Sequence, residues 1–451
     1  MLFVRNKNFY IKSATIAVPI ALQSMITIGV NMMDSIMVGR LGETSLSAVT
    51  LANQFIMLFQ ICCMGMGMGA SVLTARFWGA GNQEDLKRSI TIMYRFCLLF
   101  ASVFAFATML FPIQIMRLYT PDPAICELGS QYFAWSVISY WLLGFSLTTT
   151  LVLRSVGQAK LPLLTSIAAF FINVGANYIF IFGKFGAPQM GVAGAALGTL
   201  ISRTVEFVII CGWFLFGDRH VGYRIRNFLM RCRDLLAEYL RISLPVLISD
   251  SLLGLGNSAV AMVMGRIGAG FVAANAITTV TQQLSTTFVQ GISQASCIVI
   301  GHTLGEGKTE RAQQEGITFL MLGILIGVAA GGLIIAISGP VIGFYNVTPD
   351  TAAIARELMY AVGINVVFFC ANSIMTKGVL RGGGDTRFLM VADVLFMWVA
   401  SIPLGALAGL VWHLPAFWIY LFLKIDQIIK AFWCVFRLRS RKWIKAIHGT
   451  T

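Results

Sequence analysis

Charge is scarce in this chain. Asp, Glu, Lys and Arg make up 12% of its 451 residues, about half the share usual in soluble domains, so a set of solvated globular domains is excluded. Ten-residue runs of alternating hydrophobicity are missing, which removes the membrane β-barrel. No HExxH motif, no nucleophile elbow and no phosphate loop occurs. The four histidines, His220, His302, His413 and His448, stand far apart in the chain. An enzyme, or a pump driven by its own ATP hydrolysis, therefore lacks its chemistry. The nine cysteines are scattered, with no CxxC pair and no metal-ligand spacing, and read as small apolar packing residues. The run GMGMGA at 65–70 has glycines spaced like a phosphate loop, but it lies inside an apolar stretch without the strand–turn–helix setting.

Apolar sequence is plentiful, at 57%. It comes in runs of about 20 residues, the length that crosses a ~30 Å hydrocarbon core as helix. Twelve such spans are expected: 14–38, 46–75, 90–112, 129–153, 161–183, 192–216, 242–264, 271–300, 316–339, 356–380, 388–410 and 415–437. In lipid every backbone amide must be satisfied within the segment or a closed barrel, so continuous runs mean helices. The expected class is an all-α polytopic membrane protein.

The first half of the chain repeats in the second. Pro19 returns as Pro245, 226 positions later, and at the same offset Met37–Gly42 (MVGRLG) returns as Val263–Gly268 (VMGRIG). Gly79–Glu84 (GAGNQE) matches Gly305–Glu310 (GEGKTE), Thr120-Pro121-Asp122 matches Thr348-Pro349-Asp350, and LRSVGQAK from Leu153 matches LRGGGDTR from Leu380. Six spans per half put both copies in the same orientation, a parallel repeat of the kind transporters use. The expected organisation is a six-helix lobe at 1–216, a basic linker at 217–241, a second six-helix lobe at 242–437 and a basic tail at 438–451.

With the N-terminus inside, the outer loops hold only Arg40, Arg117, Lys184, Arg266 and Arg356 of the 33 Lys and Arg. The net charge of +14 is then a topology signal with both termini cytoplasmic, in a multi-pass inner-membrane protein. It also suits contact with anionic lipid, and it does not ask for nucleic acid. The polar, basic start of the chain leads into a full-length span rather than a cleavable signal.

Ionisable residues inside a bilayer are costly, and each is a functional candidate. Asp34 lies near the outer end of the first span, fifteen residues after Pro19, which bends a helix. Asn173 and Asn177 share one face of the fifth span at i, i+4, and Thr199 of the sixth is about as deep. With a helix carbonyl such as Ala195 they would form an oxygen cage for a hard cation, or hold a proton-binding carboxylate. Plain hydrogen bonding between helices explains the two asparagines equally well. Arg203 and Glu206, three apart, read as a structural pair. In the second half Asp250, Asp393, Asp426 and Lys430 make either a polar network with a role in transport or a set of bonds that glue helices.

At these residues the chain resembles the MATE family of multidrug and toxic-compound extrusion transporters. The resemblance runs from Pro19 through Asp34 to MVGRLG, then AVTLANQ, FWGAGNQEDLKR, LRSVGQAKLP, INVGANYIFIFGKFGAPQMGVAGAALGTLISR and LRGGGDTR. It implies twelve helices in two six-helix lobes forming a V. It also implies alternating access, with export of organic cations or amphipathic drugs against inward H⁺ or Na⁺ and no other cofactor. The partners it implies are a small-molecule substrate and membrane lipids, with the protein a monomer. It makes Asp34 the first-helix acid, Asn173 the fifth-helix amide and Thr199 the sixth-helix hydroxyl. Asn177 departs from the pattern, since many relatives carry Asp there, and one carboxylate instead of two weakens a Na⁺ site. A flippase for a lipid-linked precursor, of the same superfamily, is the other reading. It calls for a cationic cavity, whereas the mid-span bases evident here, Lys424 and Lys430, sit in one helix.

Overall fold

The computed structural model describes residues 4, 6–345 and 347–447. His448 and the end of the predicted tail lie outside the described residues.

Among the described residues all regular structure is helical. In the first half α1 spans Lys7–Gly39, α2 Glu43–Ala80, α3 Gln83–Leu110 and the short α4 Pro112–Arg117. Next come α5 at Pro123–Ser136, α6 at Ser139–Ser155, α7 at Lys160–Phe182 and α8 at Val192–Gly212, which ends in a π turn at Trp213–Gly217. A 3₁₀ turn at Ile225–Leu229 sits in the linker. The second half holds α9 at Arg233–Ile267, α10 at Ala269–Gly305, α11 at Thr309–Phe344 and α12 at Pro349–Ile374. It continues through a π turn, α13 at Leu380–Gly382, α14 at Thr386–Leu395, α15 at Ile402–Ala406, α16 at Ala416–Leu423 and α17 at Ile425–Arg439.

Every expected span falls on helix, but three do so with a difference. Among the described residues nine helices are long and apolar enough to cross a membrane, and α5 with α6, bent by 60°, makes ten. The segment expected at 129–153 is this bent pair. The segment 271–300 lies within α10, which is rich in Thr and Gln. Its hydroxyls are turned back on the helix, Thr281 donating to the Ile277 carbonyl (3.0 Å) and Thr286 to that of Gln282 (2.8 Å), which lets a polar sequence stay helical. The segment 415–437 is broken at Lys424 into α16 and α17. Pro403 lies at the start of α15, just past a π turn at Phe396–Ser401. The ring has no N–H to donate and crowds the preceding turn, so the ladder widens there.

The repeat is explained by what the backbone must do. Gly81 and Gly307, equivalent in the two copies, both adopt left-handed φ (+71° and +74°). They turn the chain out of α2 and α10, a conformation that costs an L-residue about 1–2 kcal/mol. The repeated Thr-Pro-Asp starts a helix in each copy, in different register. Asp122 caps α5 by accepting from the Ala124 N–H (2.9 Å), with Pro123 at the first position. Thr348 caps α12, with Pro349 first. Pro123 has no counterpart in the second copy, and it moves the start of the helix.

By contacts the chain divides into two units. One holds the residues up to Ala21, Ala75–Gly81 and everything from Leu244; the other holds Leu22–Thr74 and Asn82–Ser243. In the Leu22–Ser243 unit, Val38, Val49, Phe133, Ile181, Val192 and Ala195 belong to one apolar cluster. Phe59, Cys63, Cys97 and Tyr140 belong to a second, in which Tyr140 meets Phe59 edge-on at 5.1 Å. Glycines let the helices close up in both units. Gly67 of α2 faces Leu151 of α6, and Gly331 of α11 faces the Gly363 carbonyl of α12.

Candidate functional site

α1 and α7 bring the first set of candidates together. The Asn177 side-chain amide, on α7, donates from Nδ2 to Asp34 Oδ1 at 2.5 Å and to Asn173 Oδ1 at 3.3 Å. Asn173 and Asn177 are buried, and Asp34 is half-buried. Among the described residues Asn177 Oδ1 is a buried acceptor with no hydrogen-bond partner. Such an atom costs about 1–3 kcal/mol unless something else binds it. Asp34 and this oxygen are therefore the two groups that a hard cation would engage first, while a proton needs only Asp34.

Thr199 is half-buried on α8 and meets the hydroxyl of Tyr132, which also donates to Asn53 Oδ1 at 3.3 Å. Tyr132 lies within electrostatic range of Asp34 and Arg203. Neither Tyr132 nor Asn53 was a candidate from the sequence, although Asn53 lies in the AVTLANQ run. Ala195 belongs to the apolar cluster that also holds Val38, Ile181 and Tyr132. Pro19 lies within α1, which continues on both sides of it. Arg203 Nη1 donates to Glu206 Oε2 at 2.6 Å, and Arg203 is also within electrostatic range of Asp34.

Gly198 is the other residue the sequence did not single out. A Cβ there would run into Asn177 Oδ1. Glycine on α8 is what leaves room for the Asn177 side chain to reach Asp34.

The second-half acids form a network of their own. Lys430 Nζ lies 2.9 Å from Asp426 Oδ2 and 3.2 Å from Asp393 Oδ1, and all three side chains are buried. Ser249 donates to Asp393 Oδ2 (2.7 Å) and Ser401 to Asp426 Oδ1 (2.9 Å). Gln427 donates to Asp426 Oδ2 (2.8 Å) and accepts from Asn372 (2.7 Å). Each carboxylate is thus met by an ammonium and by neutral donors, the arrangement that makes buried charge tolerable. Asp250 is apart from this triad, 3.6 Å from the Arg381 guanidinium. Lys424 lies within electrostatic range of Asp426 and donates to Asn257 Oδ1 at 3.4 Å. Lys377, in the π turn at Met375–Val379, is within electrostatic range of Asp250 and Asp393. Lys377 thus adds a base near the C-terminal end of the helical stretch Pro349–Gly382.

The two halves solve one problem in two ways. In the first, buried Arg154 donates to Gln23 Oε1 of α1 (2.5 Å), and Gln23 Nε2 donates to Ser166 of α7 (2.7 Å). In the second, the repeat-equivalent Arg381 pairs with Asp250 of α9, and the neighbouring Ser249 donates to Asp393 of α14. The LRSVGQAK and LRGGGDTR runs carry the signal, since each supplies the arginine. In the first copy the arginine donates to a neutral amide oxygen, and in the second it meets a carboxylate.

The basic tail is not a loose strand. Trp443 is fully buried, and its Nε1 donates to Gln313 Oε1 at 2.8 Å. The Lys445 N–H donates to the Gly383 carbonyl (2.9 Å), and Arg76 donates to the Lys445 carbonyl (2.5 Å). Arg441 pairs with Glu310, and Asp385 with Arg437 (2.6 Å). Among the last residues described, Trp443 and Ile447 are buried.

Helices of spanning length that carry ionisable side chains in their interiors define a polytopic membrane protein. The family model MatE matches residues 19–179 and 245–407, and the chain belongs to that family. It is similar to the probable multidrug resistance protein NorM of Thermotoga maritima, 26% identical over 434 residues that cover 95% of this chain and 92% of that one. Solved structures share the fold. A MATE in the straight conformation gives a TM-score of 0.86 at 19% identity, and an outward-facing multidrug resistance MATE family transporter gives 0.84 at 20% identity. Each covers 96% of both chains. The fold class is that of the MATE transporters.

Proposed function

We propose that this transporter exports organic, often cationic or amphipathic, compounds by antiport against H⁺ or Na⁺, with Asp34 as the coupling carboxylate. The observation that carries the reading is the Asp34–Asn177–Asn173 chain with its orphaned Asn177 oxygen. A carboxylate held inside a span by one amide gains or loses a charge when a cation or proton binds, and its contacts then differ between conformations. Only such differential binding can shift a conformational equilibrium. With a single acid in the cluster and the Arg203 charge in range, a proton asks less of the site than Na⁺ does. The names of the relatives support drug-like cargo, and alternating access is the transport cycle this coupling serves. We place the protein in the inner membrane as a monomer with both termini cytoplasmic.

The test is transport of a fluorescent organic cation into proteoliposomes with independently imposed Na⁺ and pH gradients. Wild type should respond to one of the gradients and Asp34→Asn to neither. Gradient-driven transport by Asp34→Asn at the wild-type rate would overturn the assignment.

A further inference from the structure

Within the Leu22–Ser243 unit a groove of about 710 Å³ opens where α3 meets the linker that follows α8. Its walls are apolar, with Ile92, Phe96 and Leu99 from α3 and Leu236 from α9, and its rim carries Arg95, Arg231 and Arg233. The three arginines are not equivalent. Arg95 is committed to the fold, because its Nη2 donates to the carbonyls of Phe228 (2.8 Å) and Met230 (2.9 Å) and pins the linker across α3. Arg231 and Arg233 are exposed, and neither forms an ion pair or hydrogen bond among the described residues. From Arg219 to Arg233 the chain holds five arginines and no acid.

Apolar surface lies open beside these charges. Leu229 is 81% exposed on the linker, and Leu99, Val103 and Phe106 are more than half exposed on α3. Residues 99, 103 and 106 share one face of the helix, so the apolar strip runs on for about 10 Å beyond the groove at 1.5 Å per residue. A ligand that satisfies both features needs a fixed negative group at one end and hydrocarbon at the other. We propose that this groove is a binding site for one anionic phospholipid, its phosphate between Arg231 and Arg233 and an acyl chain along Ile92, Leu99 and Val103. Charge complementarity selects the headgroup, since a zwitterionic lipid brings its own cation beside the phosphate and no net charge to offset the guanidinium groups, while an ion without a tail would leave the apolar strip in contact with bulk lipid or water. The site is independent of the Asp34 cluster and of what is transported.

The test uses the purified full-length protein in a neutral detergent. Retained lipid is counted by native mass spectrometry and the unfolding midpoint is measured with phosphatidylglycerol, with phosphatidylcholine of the same acyl chains, and with inorganic phosphate. Phosphatidylglycerol should stay bound and raise the midpoint where the other two do not. Removing both charges in Arg231→Gln/Arg233→Gln should weaken its binding roughly tenfold or more, at about 1 kcal/mol per cation near a lipid surface. Arg231→Lys/Arg233→Lys should keep most of it, which separates lost charge from lost fold. Equal retention of the two lipids, equal binding by wild type and the Gln variant, or stabilisation by phosphate matching that by phosphatidylglycerol would each overturn the proposal.

Discussion

Asn177 Nδ2 donates to Asp34 Oδ1 at 2.5 Å, joining α7 to α1 across 143 residues of sequence. The bond fixes where the only carboxylate of this cluster points, and it makes Asn177 as informative a target as Asp34. Asn177→Ala should leave Asp34 with its charge but without its positioning amide. Under a fixed imposed gradient, transport should fall at least severalfold while the unfolding midpoint shifts little. Unchanged transport would separate Asn177 from coupling.

Gly198 tests the same contact from the α8 side. Gly198→Leu places a branched side chain where Asn177 Oδ1 lies, and overpacking of this kind costs about 1–3 kcal/mol. Transport should be lost more completely than in Asn177→Ala, with a lower midpoint in detergent. A fully active, fully stable variant would mean that α8 does not press on Asn177.

The Lys430 triad gives a stability prediction. Lys430→Met removes the ammonium that bridges two buried carboxylates, and breaking a buried pair in this way costs about 3–5 kcal/mol. Adding Asp393→Asn and Asp426→Asn removes the uncompensated charge and should restore most of that loss. Thermal unfolding of the single and triple variants decides the point. If the triple variant is as unstable as the single one, the network is not held by charge balance.

Trp443 tests whether the tail is structural. Trp443→Ala empties a fully buried site and should cost about 3–5 kcal/mol, as large aromatic truncations do. Limited proteolysis should then cut near Arg441 or Lys445, sites the wild type protects. Identical digestion patterns would show the tail free in both.

Much of the architecture was legible in sequence, for reasons that are local. A span such as 316–339 announces itself because lipid admits nothing but helix there. The repeat was visible because Gly81 and Gly307 hold backbone conformations that other residues resist. Asp34, Asn173 and Asn177 could be singled out because polar groups in a span are few. What sequence could not show was which of them touch. Tyr132, from a bent helix with no motif, stands beside Thr199. Lys377 and Arg381 were not among the residues singled out, although the repeated LR run carries Arg381.

By itself, then, the sequence determined the helical class, the duplication and the short roster of costly polar residues, since each depends on the chain's composition or its neighbours along the backbone. The pairings were decided only by tertiary structure: Asn177 with Asp34, Arg154 with Gln23, Arg381 with Asp250, Lys430 between two aspartates, Trp443 in its socket. All but the Lys430–Asp426 pair, four residues apart on one helix, join residues dozens to hundreds of positions apart. Their partners are chosen by helix packing, which brings side chains within 3–4 Å with no trace in local pattern.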